Sequence, residues 1–95
     1  MAGVRFEWDP NKAVSNWQKH QVSFEEAASA FYDENGRIIA DPDHFDEEER
    51  FLLLGLSSAL QILVVSHCYR AASEVIRIIS ARRAEKTERD QYGAN

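Results

Sequence analysis

The chain has 95 residues, a net charge of −5, one cysteine and 28% charged residues. That length makes a single small domain spanning 1–95, with a modest core. The acidic balance argues against a simple nucleic-acid binder, the lone cysteine excludes an internal disulfide, and no apolar run reaches the roughly 20 residues that cross a bilayer. The N-terminus shows no signal-peptide apolar stretch, so a cytoplasmic protein with no membrane contact is expected.

Charge is unevenly spread. Ten acidic residues fall between Glu25 and Glu49, offset only by Arg37. From Arg70 to Arg89, six basic residues face three acidic ones. The C-terminal third is therefore locally basic, as a phosphate-contacting surface requires, although a solvated terminal helix has the same pattern.

In chain order, Val4–Trp8 alternates and is rich in aromatics, which predicts a first strand. Asp9-Pro10 supplies an N-cap and a first helical residue, so a helix is expected over about Pro10–Lys19. Ala13, Val14 and Trp17 form its apolar side, and Trp8 and Trp17 are assigned to the core. Ser23 and Glu26 form a capping box with Val22 and Ala27 as its staple, opening a second helix over about Phe24–Tyr32. Asp33-Glu34-Asn35-Gly36 is a turn, and Arg37–Ala40 a short strand. Asp41–Glu48 is an acidic loop, expected to be mobile.

From Arg50 to Arg83 three apolar runs are divided at Ser57-Ser58-Ala59 and at Tyr69–Ser73. They predict an antiparallel meander whose middle strand, Gln61–His67, is covered on both faces. A final helix is expected from Ala81 to about Tyr92, with Arg82, Glu85, Arg89 and Tyr92 along one stripe. The fold class is α+β: an antiparallel sheet of the three-strand meander plus the N-terminal strand, two N-terminal helices and one C-terminal helix.

A two-residue loop at Ser58-Ala59 pairs Ser57 with Leu60 and sets Arg50 opposite His67. A second loop at Ala71-Ala72 sets His67 opposite Val75, with Arg77 diagonal to it on the same face. Arg50, His67 and Arg77 then share one face, and a slip of one residue would part them.

His20, His44 and His67 lack metal-ligand spacing, and Cys68 has no cysteine partner and reads as a small buried hydrophobe. No metal and no cofactor are expected. What remains is Arg, Lys, His, Tyr and Glu around a sheet. That set suits RNA cleavage without a metal: a base takes the 2′-hydroxyl proton, cations stabilise the phosphorane, and an acid protonates the leaving oxygen. Arginine matches phosphate through its planar fork, and histidine titrates near neutral pH.

Phe6–Lys12 (F-E-W-D-x-x-K), Asn16–Ala27 (N-x-x-K-H-x-V-S-F-E-E-A), Glu49-Arg50, Arg77–Ala84 (R-I-I-S-A-R-x-A) and Glu88–Tyr92 (E-R-x-x-Y) together resemble the BrnT toxin family, nearly end to end. Gln21 departs from the family's usual glycine at a turn. The resemblance implies a RelE-like α+β fold and the ribonuclease toxin of a type II toxin–antitoxin system. It also implies a cognate antitoxin whose DNA-binding domain makes the complex autoregulatory. In such folds helices cover one sheet face, and the opposite face with the C-terminal segment meets RNA.

On this reading Arg77, Arg50 and His67 are the catalytic candidates. Lys19, His20, Arg70, Arg82 and Tyr92 are the candidates for holding RNA. Arg77 has a structural alternative, an ion pair with Glu74 or Glu49. A non-catalytic interaction module, marked by an apolar groove without converging cations, is the competing function. DNA binding by this chain alone is the weakest reading, for want of a helix-turn-helix. A homo-oligomer is compatible with all of these.

Overall fold

The computed structural model describes residues 3–42, 49–72 and 74–93. Residues 43–48, which hold His44 and most of the acidic loop, lie outside them, so the expectation of mobility there is not addressed. The elements run β1 (Arg5–Glu7), α1 (Pro10–His20), α2 (Phe24–Ser29) with a 3₁₀ turn at Ala30–Tyr32, β2 (Arg37–Ala40), β3 (Phe51–Leu56), β4 (Ile62–Arg70), β5 (Val75–Arg83) and α3 (Lys86–Gln91). Five strands form one sheet in the order β1-β5-β4-β3-β2. No helix among the described residues is long and apolar enough to cross a membrane.

The local signals for the first two helices hold. The Asp9 side chain accepts from the Asn11 N–H at 2.8 Å, with Pro10 as first helical residue. Ser23 Oγ accepts from the Glu26 N–H at 3.0 Å. Glu26 does not complete the capping box. Its carboxylate instead accepts from Ser57 Oγ at 2.6 Å and from Gln61 Nε2 at 2.9 Å, tying α2 to the β3–β4 loop.

That tie accompanies a longer loop than expected. Ser57 faces Gln61 through its N–H, which donates to the Gln61 carbonyl at 2.8 Å, and three residues rather than two turn the chain. Leu60 takes a left-handed conformation (φ 61°), the usual last residue of a three-residue hairpin loop. The register therefore moves by one: Phe51, not Arg50, pairs with His67.

The second hairpin departs further. Arg70 pairs with Val75, and Cys68 with Arg77. His67 lies opposite Ile78 rather than Val75. Ala71 and Ala72 both turn left-handed, at φ 50° and 56°. A bulge follows, because His67 faces Ile78 while Ser66 faces Ser80, leaving Ile79 as an extra residue on β5.

Three expectations are corrected. The sheet is mixed rather than antiparallel, since β1 runs parallel to β5 with Glu7 beside Arg77. It has five strands, because β2 pairs with β3 at the edge. The final helix starts at Lys86, not Ala81: Ala81, Arg82 and Arg83 pair with Val65, Val64 and Leu63. Alanine and arginine favour helix in isolation, but ladder pairing outweighs that local preference.

The core lies between the sheet and the two N-terminal helices. Val22, Phe24, Ala27, Ala30 and Phe31 pack on Leu53, Leu63, Val65, Ile76, Ile78 and Ala81. Phe24, Leu63, Ile76 and Ile78 are almost wholly buried, and each such burial contributes roughly 1.5–3 kcal/mol. Trp8 sits edge-on to Phe24 with centroids 5.8 Å apart. Trp17, expected in the core, is 55% exposed, and Val14 is 58% exposed. The residue that α1 buries is Asn16, which bonds to β5.

Candidate functional site

Alternation assigns each side chain of the sheet to a face. Leu63, Val65 and His67 of β4 point toward the helices. Val64, Ser66 and Cys68 point to the other face. Direct partners share a face, so Arg77 lies with Cys68, and Arg82 with Val64, on the side away from α1 and α2. Continuing the β3–β4 register by one residue brings Arg50 beside Cys68 as well. The two arginines expected together, Arg50 and Arg77, thus flank Cys68 on one face.

His67 is not with them. It is fully buried on the helix side, 4.7 Å from the Phe31 ring centroid and 5.2 Å from that of Tyr69. Its Nδ1 lies 3.1 Å from the Val65 carbonyl, which only accepts, so Nδ1 carries the proton. Nε2, at 3.2 Å, then accepts from the Tyr69 hydroxyl. Burial lowers the pKa of this ring below its ordinary value and keeps it neutral. The shared face of Arg50, His67 and Arg77 is therefore corrected: a one-residue slip on one side and a three-residue shift on the other turn His67 inward.

A residue without a place in the sequence reading completes the open-face cluster. The parallel β1–β5 pairing places Glu7 beside Arg77. Arg77 Nη1 donates to Glu7 Oε2 at 2.7 Å, and Arg70 Nε lies 3.5 Å from the same oxygen. The anticipated partners, Glu74 and Glu49, are not the ones found in this pair. The hydrogen bond from Arg77 to Glu7 raises the guanidinium pKa further above its ordinary value and so holds the charge. The Arg77 side chain is 33% exposed and that of Glu7 39%, so the pair is open to a ligand. Alternation in Val4–Trp8 separates Glu7 from Phe6 and Trp8; only the neighbouring strand was unknown.

Arg82 and Tyr92 serve the C-terminal segment. Arg82 donates to both Glu88 oxygens, at 2.8 and 2.9 Å. That fork pulls the Glu88 pKa down to about 2. Tyr92 donates to Asp33 Oδ2 at 2.5 Å, and the same oxygen accepts from the Leu56 N–H. Burial raises the Asp33 pKa, but the hydrogen bonds, led by Tyr92, outweigh it and leave the carboxylate below its ordinary range. These two ties hold α3 across the open face. Under it, Ile39, Leu52, Leu54 and Val64 line a groove of about 150 Å³ with Arg37 and Glu88. Lys19 and His20 close α1 on the opposite side of β5 from β4, away from the Glu7 cluster.

Beside β1 the open face sets the Glu7 carboxylate between the Arg70 and Arg77 guanidinium groups, with Arg50 nearby. A carboxylate in that position can accept a proton, and the guanidinium groups can hold an oxyanion.

Comparison with known proteins gives this arrangement a context. Residues 8–88 match the family described as "Ribonuclease toxin, BrnT, of type II toxin-antitoxin system". The fold is similar to the crystal structure of the Brucella abortus ribonuclease toxin BrnT, with a TM-score of 0.59 and 26% identity over 87% of this chain and 99% of that one. No curated protein matches the chain. The chain belongs to the BrnT family of ribonuclease toxins of type II toxin–antitoxin systems.

Proposed function

We propose that this protein is an endoribonuclease that needs no metal, with its cutting centre at Glu7, Arg77 and Arg70 on the open sheet face. Glu7 takes the proton from a ribose 2′-hydroxyl. The freed oxygen attacks the adjacent phosphorus, and Arg77 and Arg70 hold the extra charge on the phosphorane. The bond to the 5′ oxygen breaks, and that oxygen takes a proton from water on this exposed face. The products are a 2′,3′-cyclic phosphate and a 5′-hydroxyl. Arg50, across Cys68 from Arg77, adds a further positive charge along the RNA path.

The observation that carries this reading is the 2.7 Å contact of Arg77 with Glu7, one carboxylate set against two arginines, all partly exposed, on the sheet face away from α1 and α2. Membership of a ribonuclease toxin family supports it. His67 has no role in the chemistry, because its ring is enclosed on the other side of the sheet. In the cell the toxin cuts cytoplasmic RNA and arrests growth. A cognate antitoxin with a DNA-binding domain silences it, and the complex represses its own operon.

The test uses purified protein and RNA in EDTA. Cleavage leaving cyclic-phosphate ends is expected. Glu7→Gln and Arg77→Ala should each lower kcat by about 10²–10⁴-fold, the range for a positioned base or an oxyanion donor. Circular dichroism checks that both variants are folded. Full activity in Glu7→Gln would overturn the assignment of the base. A wild-type protein inert toward RNA in vitro and harmless on expression would favour the binding-only reading, to which the apolar groove beneath α3 lends support.

A further inference from the structure

A second cationic region lies along the opposite side of β5 from β4. Lys12, Asn16 and Lys19 fall at spacings of four and three on α1, so they share one stripe of the helix. Asn16 anchors that stripe to Ala81 by two hydrogen bonds. Lys12 and Lys19 are therefore carried on either side of the anchor, along the strand edge. A shallow recess of about 240 Å³ runs here, lined by both lysines, His20, Ile79 and Ser80. It continues, through Lys19 and His20, into a second recess of about 350 Å³ lined by Arg82, Arg83 and Glu85.

The segregation of charge is the telling feature. The chain carries a net charge of −5, yet among the described residues Glu85 is the one acidic group lining a trough with two lysines, two arginines and a histidine, although Glu88 holds one of those arginines, Arg82. Lys12, Lys19 and Arg83 are exposed and form no ion pair among the described residues, unlike Arg77 and Arg82. Hydroxyl and amide groups fill most of the remaining wall. A spaced row of solvated cations in a shallow, polar channel matches a flexible polyanion.

We infer that this trough is a phosphate track for single-stranded RNA, holding the backbone outside the cutting centre. The inference rests on the RNA-cleavage reading and extends it. β5 carries both places, on opposite faces. Arg77 near its start faces the open side with the cutting centre, and Arg83 at its end, partner of Leu63, faces the helix side with the trough. A strand bound in both turns over the free edge of β5 beyond Arg77 and is anchored at a distance from the cut. Short RNA that reaches only the centre loses the anchor, not the chemistry.

The experiment is a salt titration of binding, read by fluorescence anisotropy. The probe is a labelled single-stranded RNA of about a dozen nucleotides, 2′-O-methylated so that it cannot be cut by 2′-hydroxyl attack. The full chain free of antitoxin is compared with Lys19→Ala/Arg83→Ala. The double variant should weaken binding at least tenfold at low salt. It should also flatten the slope of log K against log salt by about 1.4, since each phosphate neutralised on a single strand releases counterions and contributes about 0.7. The charge-keeping variant Lys19→Arg/Arg83→Lys should restore both. KM for long RNA should rise, and by more than KM for a dinucleotide.

An unchanged affinity and slope in the folded double variant would overturn the track. So would loss of antitoxin binding with RNA binding intact, which would assign the trough to an acidic protein segment. The two proposals fail separately. Cleavage that ignores the trough sinks only the track, and trough-dependent binding without cleavage sinks only the nuclease.

Discussion

Asn16 closes the edge of β5 at Ala81. Its Nδ2 donates to the Ala81 carbonyl at 2.8 Å, and its Oδ1 accepts from the Ala81 N–H at 3.0 Å. The same Nδ2 donates to the Val22 carbonyl at 3.0 Å. β1 covers β5 only as far as Arg77, and one side-chain amide pairs the strand at Ala81 as a neighbouring strand would.

This relationship gives the first prediction. Asn16→Ala leaves buried backbone groups at Ala81 and Val22 without their side-chain partner. Three backbone groups lose their partner at about 1–3 kcal/mol each, so a loss of at least about 3 kcal/mol is expected in urea unfolding. Asn16→Asp should also destabilise, because it replaces a donor facing two carbonyls with an acceptor. A loss below 1 kcal/mol in Asn16→Ala would show that the amide contributes little.

A second prediction concerns the end of α1. Gln21 sits left-handed at φ 57°, and its N–H donates to the Trp17 carbonyl at 2.8 Å. Glycine takes that conformation without the Cβ clash. Gln21→Gly should raise stability by about 1 kcal/mol and move the melting temperature upward. The departure from the family pattern at this position is thus a local strain with no bearing on the chemistry.

His67 supplies a third. Burial lowers its pKa in the folded protein, whereas the unfolded ring titrates near 6.5. As pH falls below about 6.5 the unfolded state takes a proton that the folded state refuses, so stability falls until the lowered folded pKa is passed. Melting temperature should drop between pH 7.5 and 5.5, and His67→Phe should flatten that slope. RNA cleavage by a folded His67 variant should stay within a few-fold of wild type. A loss of several hundred-fold in kcat would return the ring to the reaction.

The Arg82–Glu88 fork acts in a separate pH window. Glu88 titrates near 4.5 when unpaired and near 2 in the fold. Its contribution is present above pH 4.5 and is lost as pH falls toward 2. The Arg82 side chain is 38% exposed, so solvent screening reduces the effect to about 1 kcal/mol. Glu88→Gln should lower stability by that amount at pH 7 and by nothing measurable near pH 2. An equal loss at both pH values would point to packing of α3 instead.

The residue order alone determined the starts of the first two helices, because Asp9-Pro10 and Ser23 act on backbone groups two or three residues away. It also carried the strand runs and the family motifs, which need no knowledge of neighbours. Tertiary structure decided which side chains meet. Glu26 left its capping partner for the β3–β4 loop, the loop grew by one residue, and His67 moved away from Arg50's face. The bulge at Ile79 did the reverse for two arginines: five residues apart, Arg77 and Arg82 would lie on opposite faces of a regular strand, yet both lie on the open one. Side chains alternate every residue, so a change of one in a loop or a ladder reverses a face, and contacts far along the chain set that change.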